Sequence, residues 1–140
     1  MKLERSSLDS IGTNLFRSMM LQEALAEKLG GSGAIILVEN SLNWAKKLLP
    51  IVDGFFSSVL TDQGDLIQYA VRAKACMEKI EVLEHSLAIL KKRGEINGMD
   101  RVNALVAIGY LEGELKGLKF TMEEMQDRQK EEMRSKDNNS

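Results

Sequence analysis

The residues able to do chemistry in this chain are few, and they fall at helical spacing. Glu78, Glu81, Glu84 and His85 lie within eight positions of one another, the composition from which helical bundles build di-metal sites. Such a site needs Glu-x-x-His on each of two helices, and here Val82 stands three residues before the single histidine. One imidazole serves neither two metal-binding helices nor a triad, and nothing in the sequence points to a nucleophile and an orienting acid converging on it. The expected reading is a solvated charged face with His85 on its outer side. Cys76, the one cysteine, falls among apolar residues. A small buried thiol is inert unless cations lower its pKa, and Arg72, Lys74 and Lys79 are expected to point away from it. Gly30-Gly31-Ser32-Gly33 could receive an anion ahead of a helix, but it lacks the Lys and hydroxyl residue of a phosphate loop and reads as a flexible connection. The motifs of dinucleotide, nucleotide, paired-cysteine and zinc-protease sites are absent from the sequence. We therefore expect no catalytic residue, no cofactor, no metal ligand and no enzymatic activity.

Four helical segments would position these side chains. The first runs from Ser7 to Leu29, with Ser7 or Asp9 as its cap, an irregular apolar series from Leu8 to Leu29, and the glycine-rich turn at its end. The second carries Ile35, Val38, Leu42, Ala45, Leu49, Val52, Phe56 and Val59, alternating steps of three and four that pass Pro50 without losing phase. Proline inside a helix costs about 3 kcal/mol, so this segment is expected to be kinked there, with Gly54 easing the bend. Thr61 to Gly64 connect it to a third helix capped by Asp65. The third has the cleanest seam, Leu66, Tyr69, Ala73, Cys76, Ile80, Leu83, Leu87 and Leu90, and Lys91, Lys92 and Arg93 before Gly94 suit a helix C-terminus. Past Glu95 to Met99, Asp100 is expected to cap a fourth helix with seam Ala104, Ile108, Leu111, Leu115, Leu118, Met122 and Met125.

Short connections between long helices imply antiparallel neighbours. The predicted fold is all-α: an elongated antiparallel four-helix bundle with a kinked second helix, a single domain over 1–126, and a polar, fraying C-terminal extension over 127–140.

Composition narrows the function classes. With 19 Lys and Arg against 21 Asp and Glu, no large net field draws in nucleic acid or an anionic membrane. The clusters Lys46-Lys47 and Lys91 to Arg93 lack interleaved aromatic residues, so nucleic acid is an alternative partner and not the favoured one. The stretch Ala34 to Leu60 holds too many polar groups for a transmembrane span, although its insertion at a membrane surface is a second alternative. One cysteine and no apolar leader after Met1 suit a reducing, cytoplasmic setting.

On the fourth helix, Gly109, Gly113 and Gly117 recur every four residues and, with Val102, Val106 and Tyr110, lie opposite the seam. Each interior glycine costs roughly 1 kcal/mol relative to alanine, a cost best explained by another backbone approaching closely. These six residues are the expected interface of a homo-oligomer, most simply a twofold dimer. The alternative is that they face a neighbour within the same chain.

The string Ala107-Ile108-Gly109-Tyr110-Leu111-Glu112-Gly113-Glu114-Leu115-Lys116-Gly117-Leu118 resembles the C-terminal helix of short phage-encoded helical proteins. That resemblance implies a virion component, or an assembly or accessory factor of a phage or mobile element. It assigns no functional residue. The overall expectation is a non-enzymatic structural, assembly or adaptor protein that acts through helical faces on itself or on another protein.

Overall fold

A computed structural model describes residues 33–139, the last two by their backbone only. Among the described residues the chain is all-helical, with three helices and no strand: α1 over 33–59, α2 over Gln63–Arg93 and α3 over Gly98–Asn139. The four segments expected are thus three here, because the one over Ser7–Leu29 lies outside the described residues.

α1 runs unbroken through Pro50. The carbonyl that proline leaves without a helical partner belongs to Lys46, and both residues are exposed, so water can take that bond. The turn at α1's end is drawn tight by Leu60 N–H donating to Phe56 O at 3.0 Å. Asp62, and not Asp65, caps α2: its Oδ2 accepts the Asp65 N–H at 3.1 Å, and its carbonyl accepts from Leu66 at 3.0 Å. The start predicted at Asp65 was one turn late because Asp62 is the acid three residues ahead of an unpaired helical N–H. At the other end the prediction holds. Gly94 takes a left-handed conformation (φ 78°) and donates its N–H to Leu90 O at 2.8 Å, with Lys91, Lys92 and Arg93 in the last turn.

α3 likewise begins ahead of its expected cap. Gly98, at φ 57°, opens the helix, Arg101 N–H reaches Asn97 O at 3.4 Å, and Asp100 sits within the first turn, where its charge favours the helix dipole. The far end continues as helix to Asn139 and does not stop where apolar residues thin out. Every side chain from Gln126 to Asp137 is exposed, over about 20 Å of α3.

The three helices close on one core. Val38, Leu42, Ala45, Val52 and Phe56 of α1 meet Tyr69, Ala73, Cys76, Ile80, Leu83 and Leu90 of α2 and the Ala104 to Met122 seam of α3. Two seam positions slip by one residue. Leu48 is buried in place of Leu49, and Ser86 in place of Leu87. Ser86 can take a core place because its hydroxyl donates to Val82 O at 2.9 Å within the helix.

Candidate interaction surface

The chemistry-bearing residues do not converge. His85, Glu78, Glu81 and Glu84 are exposed on α2, and Glu84 accepts from Lys46 Nζ of α1 at 2.9 Å. No group of carboxylate, cysteine and histidine side chains that could hold a metal ion occurs among the described residues. Lys91, Lys92 and Arg93 are exposed at α2's end, and no described helix is long and apolar enough to cross a membrane.

Cys76 is fully buried. Burial pushes its thiol up to about 11, Glu114 pushes in the same direction, and Arg72 opposes it. A thiol so protonated is a poor nucleophile. Arg72 and Lys79 do not point away from the seam side as expected. Arg72 Nε donates to Glu114 Oε1 of α3, with the two side chains 24% and 22% exposed, and Lys79 Nζ stands 5.7 Å from the centroid of the Tyr110 ring. Arg72 and Lys79 stand four before and three after Cys76, which puts both on its face of α2 and lets their long stems cross to α3. Tyr110 is raised by burial first and by Glu114 next. One turn before Arg72 on α2, Tyr69 donates to Asp53 Oδ1 at 3.0 Å and stacks obliquely on Phe56 at 4.9 Å between centroids, and burial holds its proton well above the usual range. These polar contacts tie helices together.

The expected interface divides in two. Val102 (48%) and Val106 (39%) are exposed, as are Met99 (69%) and Phe120 (58%) on the same face. Gly109, Gly113 and Gly117 between them are buried within the single chain, and Tyr110 is partly buried under Lys79.

The burial extends beyond the three glycines. Gly109, Gly113, Gly117 and Thr121 form a row of steps of four, all buried, and the row continues partly buried through Leu105 and Arg101 at one end and Met125 at the other. A row of fours drifts around the helix by 40° per step, and Val102 and Val106, themselves four apart, belong to the neighbouring row that runs on through Tyr110. Thr121 joins the row without cost because its hydroxyl donates to Gly117 O at 3.1 Å. The steps of four were read from the sequence, and what was left out is Thr121, the small hydroxyl residue that continues them.

No family model, no curated protein and no solved structure matches this chain. Its functional reading rests on its own residues.

Proposed function

We propose that this protein is a non-enzymatic helical structural or assembly component that works by binding, as a homo-oligomer whose simplest form is a twofold dimer. The observation that carries this reading is the row of large apolar side chains, Met99, Val102 and Val106, open on one face of α3 directly opposite its core seam. Exposed apolar groups are ordinary when scattered, but here three fall along two turns of one helix. Val102 and Val106 would meet their twofold mates across the axis, and Gly109, Gly113, Gly117 and Tyr110 border the contact. The exposed α3 extension would leave the bundle as a separate arm for a protein partner. A place among the assembly or accessory factors of phages and mobile elements accords with this build, as does a cytoplasmic or virion setting.

Sedimentation of the purified full-length chain tests it. The dimer mass is expected at micromolar and higher concentrations, with Val106→Glu shifting the mass to the monomer while helix content stays. A monomer mass for the unaltered chain across that range would overturn the reading.

A further inference from the structure

We propose that Asn97 and Gly98, in the connection between α2 and α3, form a self-modifying site, at which Asn97 loses its side-chain amide through a cyclic imide and becomes aspartate or isoaspartate. This chemistry needs an asparagine whose amide is not held, followed by a backbone nitrogen that is neither bonded nor shielded. Asn97 is the one asparagine of the chain followed by glycine, and both residues are exposed. Gly98 N–H, in the first turn of α3, donates to no acceptor among the described residues, since the leading N–H groups of a helix lack partners within it. A Cβ built on Gly98 would meet nothing within 4 Å, so the space beside that nitrogen is open. Asn97 stands directly ahead of α3 as Asp62 stands directly ahead of α2. Asp62 accepts the Asp65 N–H, whereas the Asn97 side chain takes no hydrogen bond among the described residues.

Other pairs in the described residues lack one of these conditions. Asp53-Gly54 also puts a short acidic side chain before a glycine, but it lies inside α1, and Asp53 accepts from Tyr69 at 3.0 Å. Asn40, Asn43 and Asn103 are exposed, but the residues after them carry side chains and lie inside helices, where each N–H is committed to the preceding turn. At Asn97 the reaction balances without oxidant or reductant. Gly98 N gives its proton to water and bonds to the side-chain carbonyl carbon of Asn97, and the amide nitrogen leaves as ammonia. Water then opens the imide at either carbonyl. Opening on the side-chain side gives aspartate, whose charge suits the N-terminus of α3. Opening on the main-chain side gives isoaspartate: the chain is longer by a carbon atom, and the carbonyl that accepts from Arg101 N–H at 3.4 Å becomes a free carboxylate outside the main chain. The first turn of α3 loses its anchor in that product alone. Neither a dimer nor any other partner is needed for it.

Peptide mapping by mass spectrometry of the full chain, aged in neutral and in mildly alkaline buffer, tests it. Asn97 is expected to convert at least about tenfold faster than Asn103, whose helix must open before the next nitrogen is freed. Both products are expected, with the rate rising with pH because Gly98 N must give up its proton. A carboxyl methyltransferase specific for isoaspartate, supplied with S-adenosylmethionine, is expected to label the aged chain at this connection and not the fresh one. Asn97→Gln is expected to abolish the label, because its longer side chain closes the ring poorly, and Asn97→Ser is expected to do the same while keeping a capping oxygen. Circular dichroism is expected to show both variants as helical as the unaltered chain. Conversion of Asn97 no faster than that of Asn103 overturns the proposal, as does a label that persists in both variants. An Asn97 that stays intact in the full chain while a free peptide spanning Glu95 to Asn103 converts also overturns it, by showing that the connection holds the two groups apart.

Discussion

α2 and α3 are neighbours of similar apolar content, yet they bury themselves differently. α2 hides one stripe, from Tyr69 to Leu90, and turns Ile67, Val71 and Met77 outward among charged residues. α3 hides a seam of the same kind and, in its middle turns, a second row made of glycines and a threonine. The difference shows that apolarity alone does not count a helix's neighbours. Ile67 and Val71 are large and exposed, whereas Gly113 is featureless and covered. What marks the second face of α3 is a cost in helix propensity with no local gain, which packing must offset.

The largest expected effect separates seam from outer face on α2 itself. Leu83→Ala removes a fully buried side chain and should cost 2 to 5 kcal/mol, roughly the same as Leu115→Ala on α3. Ile67→Ala, at a residue that is mostly exposed, should stay within about 0.5 kcal/mol. Urea unfolding followed by circular dichroism measures all three. A cost for Ile67→Ala near that of Leu83→Ala would mean that α2 also carries a second covered face, and the contrast with α3 would fall.

The place where the two helices meet should make stability depend on alkaline pH. The Cys76 thiol has an ordinary value of 9.0 and is held at about 11 in the fold by burial and by Glu114. An unfolded chain releases that proton first, so the stabilisation is complete below pH 9 and is lost as pH rises towards 11. The loss is at most about 2 to 3 kcal/mol from this group. Tyr69, likewise raised from 10.0, adds to the decline from about pH 10 upward. Unfolding midpoints measured from pH 8 to 10.5 should therefore fall, and Cys76→Ala should remove the portion that begins near pH 9. A flat profile in the unaltered chain would show that the thiol is less enclosed between α2 and α3 than its packing indicates.

Much of this fold was legible in the sequence, and what was not has physical causes. The α2 seam and its glycine cap were readable because heptad spacing and a left-handed glycine are local signals. The caps of α2 and α3 were placed late, since several acids stood near each start and only backbone geometry selects among them. Leu49 and Leu87 lost their predicted places to Leu48 and Ser86 through small rotations of the kind that straight heptads conceal. On α3 the glycines were recognised, but residue types alone did not separate the exposed Val102 and Val106 from the buried glycines on the same side of the helix. Arg72 was expected to point away from the seam side, although its place four residues before Cys76 puts it on the same helix face.

The smallest expected effect concerns that same arginine. Its guanidinium and the Glu114 carboxylate cross the α2–α3 boundary with about a quarter or less of each side chain exposed, so desolvation offsets much of their attraction. A double-mutant cycle of Arg72→Met and Glu114→Gln should give a coupling of about 1 kcal/mol, with each single change costing more than the double because it leaves one polar group half-buried and alone. Arg72→Met has a second consequence, since it removes the cation that opposes Glu114 at the Cys76 thiol. The alkaline decline should therefore deepen in Arg72→Met and shrink in Glu114→Gln. Opposite movement of the two profiles would locate the pair electrostatically beside Cys76. Identical profiles would mean that the pair sits at the rim of the boundary, a surface contact between two helices whose union the apolar seam alone secures.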